Sequence, residues 1–168
     1  MNKRGTSSRS LKKQLQTIID NIERQFIILN KVEFNRYSDL AEVRPKKIEA
    51  KHTLKIGVSF SEAQSDENNN KYFAVIINYT HEEELYSAEE EEKENIANMK
   101  IEYILNLVLR PSEEIKSVLS NEDVLMKYAE GTGLLTIYPY IRHMADVLHR
   151  EARIFIPPYP PAKVKPPR

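Results

Sequence analysis

The 168 residues carry 25 Lys plus Arg against 25 Asp plus Glu, so no net positive field draws in a phosphate backbone and general nucleic-acid binding is not expected. With no cysteine, disulfide frameworks, thiolate metal sites and cysteine nucleophiles drop out together, which suits a reducing compartment. A chain that is 40% hydrophobic and 30% charged can build one ordinary core under a wet surface. The basic start, with Lys3, Arg4, Arg9, Lys12 and Lys13, meets Asp20, Glu23 and Arg24 where a signal peptide needs an apolar run. No stretch approaches a membrane span, and a cytoplasmic protein is expected.

After a polar lead, Leu11, Leu15, Ile18, Ile19 and Ile22 recur at helical spacing and predict an amphipathic helix from about Ser10 to Gln25. Residues 1–25 thus read as an N-terminal extension, ahead of a main domain over 26–158 and a basic, proline-rich tail over 159–168. The period then changes to two. Phe26, Ile28, Val32 and Phe34 share one face of a first strand, with Asn30 as the exception.

Arg44-Pro45 breaks the chain, and Ile48, Ala50, His52, Leu54, Ile56, Val58 and Phe60 form the cleanest alternation in the sequence, a second strand on whose apolar face His52 reads as a hydrogen-bonded core histidine. The polar link 61–70 leads to a third strand over Lys71–Thr80, with Phe73, Val75, Ile77 and Tyr79 on one face. A glutamate-dominated link from about His81 to Asn95 follows. Its runs Glu82–Glu84 and Glu89–Glu92 read as a solvated hairpin tip, because they lack histidine and ligand spacing. Met99, Ile101, Tyr103, Leu105, Leu107 and Leu109 make the fourth strand, and four strands in succession predict an antiparallel meander.

Past Pro111 the spacing turns helical. Ile115, Val118, Leu119, Val124, Leu125 and Tyr128 define one helix, with Glu113 and Glu114 in its first turn and a kink expected at Asn121-Glu122. Gly131-Thr132-Gly133 predicts a break. Leu134, Ile137, Tyr138, Ile141, Met144, Ala145 and Leu148 then define a second helix, with Pro139 near its start. Strands followed by helices give an α+β class, a four-stranded antiparallel sheet with two C-terminal helices on one face and the N-terminal helix added.

No phosphate-binding glycine loop, nucleophile elbow or cofactor fingerprint is present, so neither an enzyme nor a cofactor is expected. His143, Asp146 and His149 are three residues apart and read as a polar helix face rather than as metal ligands. The PPYPP tail reads as a surface extension.

The stretch 131–161 resembles the C-terminal part of the SecB protein-export chaperones, on Tyr138, Pro139, Tyr140 and Arg142 ahead of a helix and on the double proline Pro157-Pro158 after an apolar segment. The order of four strands and two helices is similar too. This resemblance implies an ATP-independent holdase, a dimer of dimers, that keeps unfolded or precursor polypeptides soluble for protein export by covering their apolar segments in grooves. It places the groove on Val118, Leu119 and Leu125 of the first C-terminal helix and on Tyr138, Tyr140, Ile141 and Met144 of the second, residues whose spacing equally suits packing.

The chain departs from the family at the helix before the first strand, at Tyr159-Pro160-Pro161 where an asparagine-phenylalanine-aspartate stretch is usual, and in its basic tail. The family engages the SecA motor partly through a tail that this chain lacks. The alternative implied is a dedicated SecB-like chaperone or interaction module for one partner, such as a toxin–antitoxin component.

Overall fold

The computed structural model describes residues 8–37, 48–64, 71–87 and 94–152. Helix α1 (Ser8–Asp20) leads into strands β1 (Ile22–Arg36), β2 (Ile48–Gln64), β3 (Lys71–Ser87) and β4 (Glu94–Leu109), and helices α2 (Glu113–Leu119), α3 (Glu122–Tyr128) and α4 (Leu134–Glu151) follow. The four strands form one antiparallel sheet, and the α+β class is as expected. Their order is β1-β4-β3-β2, so the meander holds for β2, β3 and β4 whereas β1 lies beside β4. This is the Greek-key arrangement, in which the chain passes from one sheet edge to the other between β1 and β2.

Burial alternates along β3, where Phe73, Val75, Ile77, Tyr79 and Leu85 are sealed, and along β4, where Met99, Ile101, Tyr103, Leu105, Leu107 and Leu109 are sealed. Both rows meet the helices. Ile18 of α1, Ile115, Val118 and Leu119 of α2, Val124, Leu125 and Tyr128 of α3, and Ile137, Ile141 and Ala145 of α4 complete the main core, and Leu85 packs with Ile96, Ala97 and Ala152 in a smaller second cluster. Helix α1 packs against α2 and α3. It ends at Asp20, short of the expected Gln25, and the strand takes over at Ile22.

Strand β1 does not keep one apolar face. The register shifts between Leu29 and Lys31, so Asn30 is the extra residue of a bulge. Ile27, Leu29, Val32 and Phe34 pair with Leu105, Tyr103, Ile101 and Met99 and so face the helices, whereas Phe26 and Ile28 pair with Asn106 and Ile104 and face away. The polar exception in the alternation was the point where the strand reverses its faces.

The C-terminal helices are also more continuous than expected. The chain does break between α2 and α3, where the Ser112 side chain caps α2 by accepting from the Ile115 N–H and Asn121 opens α3. The expected break at Gly131-Thr132-Gly133 is instead part of a π-helical turn, Ala129–Gly133, that joins α3 to α4 without interruption. Pro139 accordingly sits inside α4. The turn is fixed by the sheet beneath it: the buried Tyr79 hydroxyl donates to the Ala129 carbonyl at 2.8 Å. Burial raises the Tyr79 phenol well above its ordinary value, and the Tyr128 phenol is pushed up to about 12.

Candidate functional site

With the core closed, the apolar side chains still in solvent mark where another molecule can bind. On the helix side these include Leu29 and Val32 of β1 and Tyr140 of α4, 42%, 37% and 48% exposed, which lie together, while Ile19 of α1, Leu54 of β2 and Leu135 of α4 are exposed elsewhere on that side. The register places Leu29 beside Tyr103. The Tyr103 ring lies 6.2 Å from that of Tyr140, tilted by 60°, and its hydroxyl donates to the Tyr140 carbonyl at 3.4 Å. Met144, one turn on from Tyr140, is half-buried against the core. At 100° per residue Tyr140 and Met144 share the flank of α4 that looks toward β1. These side chains form an exposed apolar strip, the candidate groove, that runs from the edge strand β1 over Tyr103 to α4.

A second apolar surface lies on the far side of the sheet. Phe26 and Ile28 of β1 stand there beside Ile104 and Val108 of β4 and Ile76 of β3. Phe26, Ile28 and Ile76 are exposed. Farther along the same face the pattern turns charged, with Lys31–Glu33 at 2.6 Å, Lys100–Glu102 at 2.8 Å and Lys55–Glu82 at 2.7 Å. Half of this face is greasy and half is an ion-pair ladder.

The groove residues expected from the sequence separate. Tyr140 is exposed in the candidate groove and Met144 is half-buried beside it. Val118, Leu119, Leu125 and Ile141 are sealed in the core, 6%, 0%, 2% and 1% exposed. Tyr138 is half-buried on the opposite flank of α4, its phenol raised by burial and opposed by the charge of Arg142 one turn away. Pro139 is exposed and Arg142 half-buried, while Pro157 and Pro158 lie outside the described residues. Leu29 belongs to the groove but escaped sequence reasoning, because the Asn30 bulge put it on the face assigned to Phe26 and Ile28. A prediction follows for the sealed set: Leu119→Ala lowers stability by about 2–5 kcal/mol in a denaturant melt.

Three polar features need correction. Glu82–Glu84 are not a hairpin tip: β3 continues through them to Ser87, and Glu83 is buried. Glu89–Glu92 lie outside the described residues. His143, Asp146 and His149 do not act as one face either, since His143 is exposed whereas His149 is buried with its Nε2 3.2 Å from a Glu83 carboxylate oxygen. His52, expected in the core, is 43% exposed by its side chain. Among the described residues no helix is long and apolar enough to cross a membrane.

No family model and no curated protein matches the chain. Among solved structures it is similar to the Mycobacterium tuberculosis Rv1957 SecB-like chaperone in complex with a ChAD peptide from Rv1956 HigA1 antitoxin. The TM-score is 0.54 at 17% identity, over 93% of this chain and 99% of that one. The chain therefore has a SecB-like fold, and the resemblance carried by Tyr138, Pro139, Tyr140 and Arg142 holds at that level.

Proposed function

We propose that the chain is a SecB-like chaperone that holds unfolded or precursor polypeptides, without nucleotide and without catalysis, in the groove between β1 and α4. The observation that carries this reading is the exposure of Leu29, Val32 and Tyr140 beside a core that is already complete. Apolar area withdrawn from water returns about 25 cal/mol per Å², so an extended client covering roughly 400 Å² of such surface gains about 10 kcal/mol before the cost of ordering it. Contacts of this kind read hydrophobicity rather than sequence, and Met144 adapts to varied partners. The outer edge of β1 pairs with no described strand, so its backbone is available for strand addition along the groove wall.

Self-association into a dimer of dimers belongs to the same reading, with the apolar half of the outer sheet face, around Phe26, Ile28 and Ile76, as a surface that a second copy covers. A cytoplasmic location and a role in protein export belong to the same reading. The test is light scattering from a denatured protein diluted into buffer. The expected outcome is suppressed aggregation at near-stoichiometric amounts of this chain without ATP, and unchanged scattering contradicts it.

The second reading, service to one dedicated partner, is favoured by the structural neighbour, which is solved with a peptide from an antitoxin. It is distinguished by pull-down: one tightly held protein supports it, and many weakly held ones support the general holdase.

A further inference from the structure

On the helix-facing side of the sheet, β2 and β3 bring His52, His81 and Glu83 together. His52 stands directly opposite Glu83 in the register, and His81 is two residues before Glu83, hence on the same face. The His52 and His81 rings stack with centroids 5.7 Å apart. One ligand atom from each of the three residues lies within 4.8 Å of the other two. His52 Nδ1 is 4.0 Å from Glu83 Oε1, while the other carboxylate oxygen, Oε2, is 3.2 Å from His149 Nε2 on the last turn of α4.

We infer that His52, His81 and Glu83 bind a divalent transition-metal ion of the zinc type, with His149 orienting the Glu83 carboxylate. Two imidazoles and a carboxylate are a donor set that zinc accepts, with a fourth position left for water. Ligand atoms around tetrahedral zinc sit roughly 3.3 Å apart, given zinc–ligand bonds of about 2.0–2.1 Å. Rotation of the half-exposed His52 closes the remaining distance, and its exposure supplies the entry path. His149 Nε2, 3.2 Å from the second Glu83 oxygen, stands where an outer-shell group can orient a ligating carboxylate. The bound ion ties the edge strand β2 to β3 and, through Glu83 and His149, to the end of α4.

The test uses the full-length chain, stripped with a chelator and titrated with Zn²⁺ by calorimetry, with Co²⁺ absorption reporting coordination. The expected result is one ion per chain, visible bands from low-symmetry cobalt, and a melting temperature raised by Zn²⁺ and restored by EDTA. His52→Ala, which removes a half-exposed side chain and leaves the circular dichroism unchanged, is expected to weaken binding at least about tenfold. His149→Ala is expected to weaken it about 10- to 100-fold. His143→Ala, on the exposed side of α4, is expected to leave it unchanged. No stoichiometric uptake, or uptake undiminished by His52→Ala, overturns the inference, and neither result bears on the chaperone reading.

Discussion

Gly133→Ala is expected to cost about 3 kcal/mol, which lowers the melting temperature of a chain of this size by roughly 6–12 °C. A Cβ at position 133 would run into the Tyr79 hydroxyl and would also stand 3.4 Å from the Tyr128 carbonyl and 3.6 Å from Ile77 Cδ1. Tyr79 is fully buried and cannot swing away. Its hydroxyl would have to leave the Ala129 carbonyl, the bond that fastens the π-helical turn to the sheet. The overpacking costs about 1–3 kcal/mol and the lost hydrogen bond about 0.5–1.5 kcal/mol. Gly131, two residues earlier, has nothing within 4 Å of a built Cβ, so Gly131→Ala is expected to be neutral or stabilising by up to about 1 kcal/mol. Tyr79→Phe combined with Gly133→Ala is expected to cost less than the two changes summed, because the first removes the atom that the second strikes. Thermal melts of the four variants check all three statements, and equal losses for both glycines refute the close-approach explanation.

The second large effect concerns the groove. Leu29→Glu with Tyr140→Glu places two charges on its opposite walls, where each side chain is already exposed, so stability is expected to move by less than about 1 kcal/mol. Binding of an unfolded client is expected to weaken about 10- to 100-fold, since each lost apolar contact is worth about 1–1.5 kcal/mol and about 1.4 kcal/mol is tenfold. Fluorescence anisotropy of a labelled unfolded polypeptide measures it. Phe26→Glu with Ile28→Glu, on the far side of the sheet, is expected to change the assembled mass in native mass spectrometry. An undiminished client affinity in the Leu29/Tyr140 variant contradicts the proposed groove.

How much of this was legible in the sequence depends on what filled the buried positions. The alternation of aliphatic side chains from Ile48 to Phe60 and from Met99 to Leu109 gave two strands nearly as they stand, because apolar content and period agree there. The end of β3 was hidden for the opposite reason: of its inward positions His81, Glu83, Leu85 and Ser87, three are polar residues that period-two reasoning takes for solvent, while His149, which faces Glu83, comes from a helix more than sixty residues on. Burial of His81 holds its imidazole down to about pKa 4, despite the raising influence of Glu83, so the ring stays neutral at ordinary pH. Nothing local to residues 81–87 signals that environment.

The glycines misled in a related way. Gly131 and Gly133 were read as helix breakers, yet Gly133 serves close approach to Tyr79, a contact between chain segments far apart in sequence. The groove was half legible. Helical spacing singled out Tyr140 and Met144 together with Val118, Leu119, Leu125 and Ile141, and no spacing rule tells which members of an apolar stripe the sheet will cover. The opposite wall depended on a single-residue bulge at Asn30 that turns Leu29 inward.

The most direct measurement is site-specific photo-crosslinking, with a photoreactive amino acid at position 29, 140 or, as a control on the outer sheet face, 59. An unfolded client is expected to crosslink from 29 and 140 and not from 59. Crosslinks as strong from 59, or none from 29 and 140, would mean that the surface between β1 and α4 does not hold the client.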